Sequence, residues 1–249
     1  MIDKLELNTK ASILRKALDE DDFSPIDIFT LVQTIENLTL IFYPLENISG
    51  ICYKGADSDV IVINSNQSVG RQRFSLAHEL YHLYYDESEQ HMVSMATIGE
   101  GDENERKADQ FASYLLIPPA SLHSQIEKLK IKRNRNQLAI DDVIALAQYY
   151  GVSHGAMLYR LRTEGLINHS QLDDMKTGVR DIAATLGYDT AIYYPVPKDK
   201  QTRVLGHYIK SSEILLKEDC ISQGKYEELL LDAFRADIVY GVEEAVPVD

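Results

Sequence analysis

Two histidines and a glutamate in the run Arg73-Phe74-Ser75-Leu76-Ala77-His78-Glu79-Leu80-Tyr81-His82 have the spacing H-E-x-x-H. At about 100° per residue, a helix sets His78 and His82 one above the other on one face, with Glu79 beside them. Neutral imidazoles are zinc ligands, and a carboxylate so placed reaches a water on the ion and serves as general base. Leu76, Leu80 and Leu83 take the opposite side and would anchor the helix in a core. A structural zinc site would add cysteines or histidines, whereas a catalytic one has three protein ligands and an open position.

The third ligand must come from elsewhere. A histidine six residues after His82 is excluded, because that position is Ser88, and His91 misses the register. The alternative is a glutamate on a second helix followed four residues later by an aspartate, which Glu105 and Asp109 supply. Asp102 is a plausible N-cap for that helix, Ala108, Phe111, Ala112 and Leu115 form its apolar stripe, and Pro118-Pro119 stops it. Glu105 and Asp109 lie on or beside the stripe, where burial is costly without a compensating cation. Glu103 is the runner-up ligand, and a capping box between Asp102 and Glu105 is the plain structural alternative. Asp109 is expected behind the ligands, bonding the outer nitrogen of a histidine and fixing its tautomer.

These segments resemble the ImmA/IrrE-type metallopeptidases. The resemblance rests on Arg73 to His82, Glu105 to Ala112, Leu115 to Pro118 and Leu146 to Ser153, continues to Arg160-Leu161, and covers roughly residues 10 to 167. It implies a zincin-like, gluzincin-type core and a cytoplasmic peptidase that cleaves a helix-turn-helix repressor, relieving repression. Tyr81 stands where this family usually has glycine.

The 249 residues suit one sizeable domain with an appendage, or two small ones, and 45% hydrophobic residues suffice for a core. The start Met1-Ile2-Asp3-Lys4 is not a secretory signal, no apolar run is long enough for a membrane span, and Cys52 and Cys220 are too few for a disulfide framework. A cytoplasmic location without a membrane is expected. The formal charge of −14 argues against tight sequence-independent DNA binding.

The elements that would position the site read as an α+β chain. Residues 9 to 18 and 26 to 36 are helical in pattern. Leu38 to Tyr43, Gly50 to Tyr53 and Val60 to Asn64 read as a small antiparallel sheet leading into the metal helix, with Val60 to Asn64 as the edge that would pair with substrate. The acidic loop from Asp86 to Gly101, with Glu87, Glu89 and Glu100, must bring the two metal segments together. His91, Tyr84, Tyr85 and Tyr53 are possible donors to an oxyanion, and residue types alone do not choose among them.

Glu127 to Asn136 holds five basic residues, a solvated face or a contact for an acidic partner or DNA. Ile140 to Tyr150 and Ser153 to about Gly165 form a helix-turn-helix-like pair, with His154, Arg160, Arg162 and Thr163 as polar groups a DNA-reading helix would show. Ala191 to Val196 reads as a strand, Pro195 to Thr202 as a loop, Ser222 to Phe234 as a helix and Val239 to Asp249 as an acidic tail with Pro247. The domain division expected is 1–130, a zincin-like peptidase domain; 131–167, the helical pair; and 168–249, a small α/β appendage. The function expected is a zinc endopeptidase acting on a protein substrate. The alternatives are a metal-containing protein-binding module and a DNA-binding regulator working through residues 140 to 165.

Overall fold

The computed structural model describes residues 2–86, 91–95 and 97–241. Glu87, Glu89 and the tail from 242 on, Pro247 included, lie outside the described residues. The helices are α1 (Lys4–Ala17), α2 (Ile28–Leu31), α3 (Val69–Tyr85), α4 (Glu103–Leu116), α5 (Pro119–Arg133), α6 (Ile140–Tyr150), α7 (His154–Thr163), α8 (His169–Asp174), α9 (Val179–Thr185), α10 (His207–Lys217), α11 (Gln223–Asp232) and α12 (Ala236–Tyr240). The strands are β1 (Leu38–Tyr43), β2 (Ile48–Tyr53), β3 (Asp59–Asn64), β4 (His91–Met95) and β5 (Arg203–Gly206).

The fold is α+β, with a five-stranded sheet in the order β4-β2-β3-β1-β5. The sheet is mixed instead of purely antiparallel. β1 runs parallel to β3, pairing Leu38 with Asp59 and Tyr43 with Asn64, and the other pairs are antiparallel. This moves β3 from the expected edge to the centre. Its sequence, Val60-Ile61-Val62-Ile63, is apolar at successive positions, as in a strand covered on both faces, and Ile61 and Ile63 are fully buried. Among the described residues the edges are β4, inside the stretch read as a loop, and β5. β5 also corrects the reading of the C-terminal part, where 191–193 forms a 3-10 turn instead of a strand. Pro195 and Pro197 lack the amide hydrogens that a ladder needs, so pairing starts after them, where Val204 and Leu205 bury against the sheet.

α3 packs against β2 and β3 on one side and α4 on the other, and α1 packs along α4. The core is continuous from Leu7 on α1 to Leu205 on β5. Arg15 is an unforeseen part of it. Its buried guanidinium donates to the carbonyls of Asp21, Ser24 and Leu115, tying α1 and the loop after it to the end of α4.

Two readings of the central region change character. In the basic run, Arg133 and Arg135 pair with Asp141 and Asp142 in the first turn of α6, so these charges fix the α5–α6 corner. In α7, Arg160 is fully buried, donating to the Ile117 carbonyl and to Glu164, and His154 is buried against the Met175 carbonyl. Two of the four polar groups that a DNA-reading helix would show therefore hold α7 to its own protein.

Candidate metal centre

His78, Glu79 and His82 occupy the middle of α3, where the helix is buried nearly all round from Gln72 to His82. Leu76 and Leu80 are fully buried in the core as the pattern predicts, and Leu83 packs against it partly buried. The polar face is buried too, because α4 lies across it. α4 begins at the expected cap, where Asp102 accepts from the amides of Asn104 and Glu105. The Glu105 side chain does not return to close a capping box. It turns to the histidines, with Oε2 3.3 Å from His78 Nε2 and Oε1 3.1 Å from His82 Nε2.

The two Nε2 atoms are 3.1 Å apart, and the donor atoms of His78, His82 and Glu105 all lie within 4.8 Å of one another. Donors about 2.05 Å from a tetrahedral zinc are separated by about 3.3 Å, so these spacings fit such an ion. Glu103, the other candidate, pairs with Lys107 on the exposed side of α4.

Each histidine is held from behind. His78 Nδ1 is 2.9 Å from Asp109 Oδ1, and His82 Nδ1 is 2.9 Å from Asp86 Oδ2. A carboxylate only accepts, so the proton of each neutral ring sits on Nδ1 and the Nε2 lone pairs face each other and Glu105. Sequence reasoning anticipated Asp109 and missed Asp86. The signal for Asp86 was its position four residues after His82, one turn on along the same helix face. Asn104 ties this aspartate to α4, donating its Nδ2 to Asp86 while its Oδ1 lies 3.4 Å from the Tyr81 hydroxyl. Tyr81 is buried between Phe111, Tyr85 and the His82 ring.

Glu79 differs from every other acid here. It is fully buried, and neither carboxylate oxygen has a hydrogen-bond partner at ordinary geometry. Burial pushes its pKa up, against the pull of His78, His82 and the Ser94 hydroxyl. Space for it exists only because residue 50 is glycine. A Cβ there would lie 2.5 Å from Glu79 Oε1.

In the metal-free site, burial alone would depress the His78 pKa. Hydrogen bonds to Asp109 and Glu105 outweigh it and hold the imidazolium up to about 10. Burial works against Glu105 as an anion, yet its bonds to His78 and His82 bring it down to about 2. The site stores a proton where a cation fits.

Of the possible oxyanion donors, Tyr85 gives its hydroxyl to the Lys10 carbonyl on α1. Tyr84 is exposed, Tyr53 ends β2 opposite His91, and the side chain of His91 lies outside the described residues.

Residues 37–162 match the family model of the IrrE N-terminal-like domain, a peptidase family; the match runs from the turn before β1 to α7 and includes both metal segments. No curated protein matches the chain.

Proposed function

The chain belongs to the IrrE N-terminal-like metallopeptidase family, and on that premise we propose that it is a zinc-dependent endopeptidase in which His78, His82 and Glu105 hold the ion and Glu79 carries the proton. Bound there, zinc would supply a Lewis acid for the scissile carbonyl and acidify its water toward neutrality. The remaining work belongs to side chains. Glu79 accepts the proton of the attacking water and delivers it to the leaving amine nitrogen. A carboxylate raised in pKa by burial is suited to both halves of that transfer at neutral pH. Asp109 and Asp86 keep both imidazoles in the tautomer and orientation that ligation needs. A substrate chain laid along the outer edge of β4 by main-chain hydrogen bonds would lie beside the site.

One observation carries this reading: a fully buried carboxylate, whose oxygens make no hydrogen bond of ordinary geometry although the Ser94 hydroxyl pulls on them, stands beside three converging ligand atoms. Such a group costs about 1–3 kcal/mol or more for each polar atom left unsatisfied, so its burial is explained by chemistry done there and not by folding. The substrate we assign is a cytoplasmic helix-turn-helix repressor, on the strength of the family resemblance. The zinc-loaded protein, incubated with such a repressor encoded beside it, is expected to yield two fragments, and the Glu79→Gln variant none. A stable uncut complex with zinc present would make the protein a binding module instead.

A further inference from the structure

The pairing of β2 with β4 breaks register beside the metal centre. Ile48 stands opposite Met95 and Gly50 opposite Ser94, so Ser49 and Gly50 together face the single residue Ser94. This is a β-bulge, a feature that re-aims side chains next to functional sites. It shows in the burial, since Ser49 and Gly50 are both buried where strict alternation would turn one of them outward. Ser49 Oγ donates to the Ser94 carbonyl at 3.3 Å and pins the irregular pair.

Residues directly opposite in an antiparallel pair project to the same face of the sheet. For Gly50 that face is the one Glu79 meets, since a Cβ there would lie 2.5 Å from Glu79 Oε1 and 2.9 Å from its Cδ. Ser94 therefore turns its hydroxyl toward the same carboxylate from the neighbouring strand. Both groups are fully buried, and among the described residues neither the Ser94 hydroxyl nor the Glu79 carboxylate makes a hydrogen bond of ordinary geometry. A carboxylate only accepts and a hydroxyl has one hydrogen to give, so each supplies what the other lacks. The pull of this hydroxyl on Glu79 works against the rise in pKa that burial causes.

We propose that Ser94 is a positioning residue for the general base: its hydroxyl donates to one oxygen of Glu79, fixes the plane of the carboxylate and leaves the second oxygen to take the proton of the attacking water. This role rests on the peptidase reading and adds a residue to it. The last torsion of a glutamate is broad, whereas a general base works only within hydrogen-bond reach of the proton it takes. A single donor on one oxygen removes that freedom. Ser94 also sits on β4, the edge along which a substrate chain would pair, so the strand that receives the substrate is the one that sets the base. Ser94 falls in the stretch from Asp86 to Gly101 that reads as a loop, where no pattern marks it.

Two measurements test it. In the first, the zinc-loaded wild type and Ser94→Ala cut the same helix-turn-helix repressor. The variant is expected to keep one zinc per chain and a KM within about threefold of wild type, and to lose about tenfold or more in kcat. Loss of zinc, an unchanged kcat, or an effect carried by KM alone overturns the role. The second measurement reads the pair without cleavage: urea unfolding of the full chain in excess zinc is followed for wild type, Ser94→Ala, Glu79→Leu and the double variant. With Glu79 present the hydroxyl is expected to be worth about tenfold in the folding equilibrium constant, and with leucine in its place nothing. Equal effects of Ser94→Ala in the two backgrounds overturn the hydrogen bond. If the wild type cuts nothing, the peptidase reading fails, and the unfolding cycle alone decides whether Ser94 holds Glu79.

Discussion

Single side chains decide the chemistry here, and the decisive one is the least comfortable. Glu79 has room only because Gly50 lacks a Cβ. Gly50→Ala is therefore expected to displace the carboxylate, keep stoichiometric metal and lower cleavage about 10²–10⁴-fold, the usual worth of a positioned proton carrier. Loss of metal in that variant, by elemental analysis, would show that residue 50 shapes the ligands instead. Asp86→Asn and Asp109→Asn should each weaken metal binding about 10–100-fold by removing the acceptor behind a ligand histidine. Equal metal affinity in a chelator competition would contradict this. A third expectation concerns protons. The metal-free His78 stays protonated up to about pH 10, and a ligand imidazole must be neutral, so metal entering near pH 7 expels a proton and affinity climbs as pH rises. Calorimetry in two buffers of different ionisation enthalpy should return a release of about one proton per ion; a value near zero is the contrary result. His78, Glu79 and His82 were legible because one helical period encodes them. Asp86 was hidden, since it follows the last helical residue and was read as the start of a loop.

At the scale of elements, two helices converge because each is fixed at a distance from the site. α4 is capped by Asp102 and clamped to α3 through Asn104 and Asp86, while α7 is anchored by Arg160 reaching the Ile117 carbonyl just after α4. A fully buried arginine cannot be read from a sequence, where Arg160 looks like a surface charge beside Arg162. Arg160→Met leaves the Ile117 carbonyl without its donor and Glu164 with only the Tyr114 hydroxyl, which should cost about 2–4 kcal/mol in urea unfolding. A change under about 0.5 kcal/mol, typical of surface sites, would return Arg160 to the surface role first suggested. The strands were found where β-branched residues cluster, but their order was not. Apolar runs locate a strand, and a run apolar at every position, as in β3, marks a centre that alternation would not.

For the whole molecule, the C-terminal part contributes to the sheet. β5 pairs with β1 from Thr39 to Phe42, and Val204 and Leu205 are buried there. Such a short, distant strand has no local signal, which is why 168–249 read as an appendage of unassigned role. Ending the chain at residue 167 would strip β1 of its outer partner β5 and leave an open apolar edge, the usual seed of aggregation. The truncated protein is expected to be insoluble or strongly destabilised, and a soluble truncation with an unchanged melting temperature would contradict it. Among the described residues no helix is long and apolar enough to cross a membrane. What the whole fold accomplishes is to close α3 and α4 around one point, and that point is directly measurable. Crystals of the zinc-loaded protein, with diffraction recorded on either side of the zinc absorption edge, should show one anomalous peak per chain about 2.1 Å from His78 Nε2, His82 Nε2 and a Glu105 oxygen. A peak that omits Glu105, or none at this position, would contradict the account.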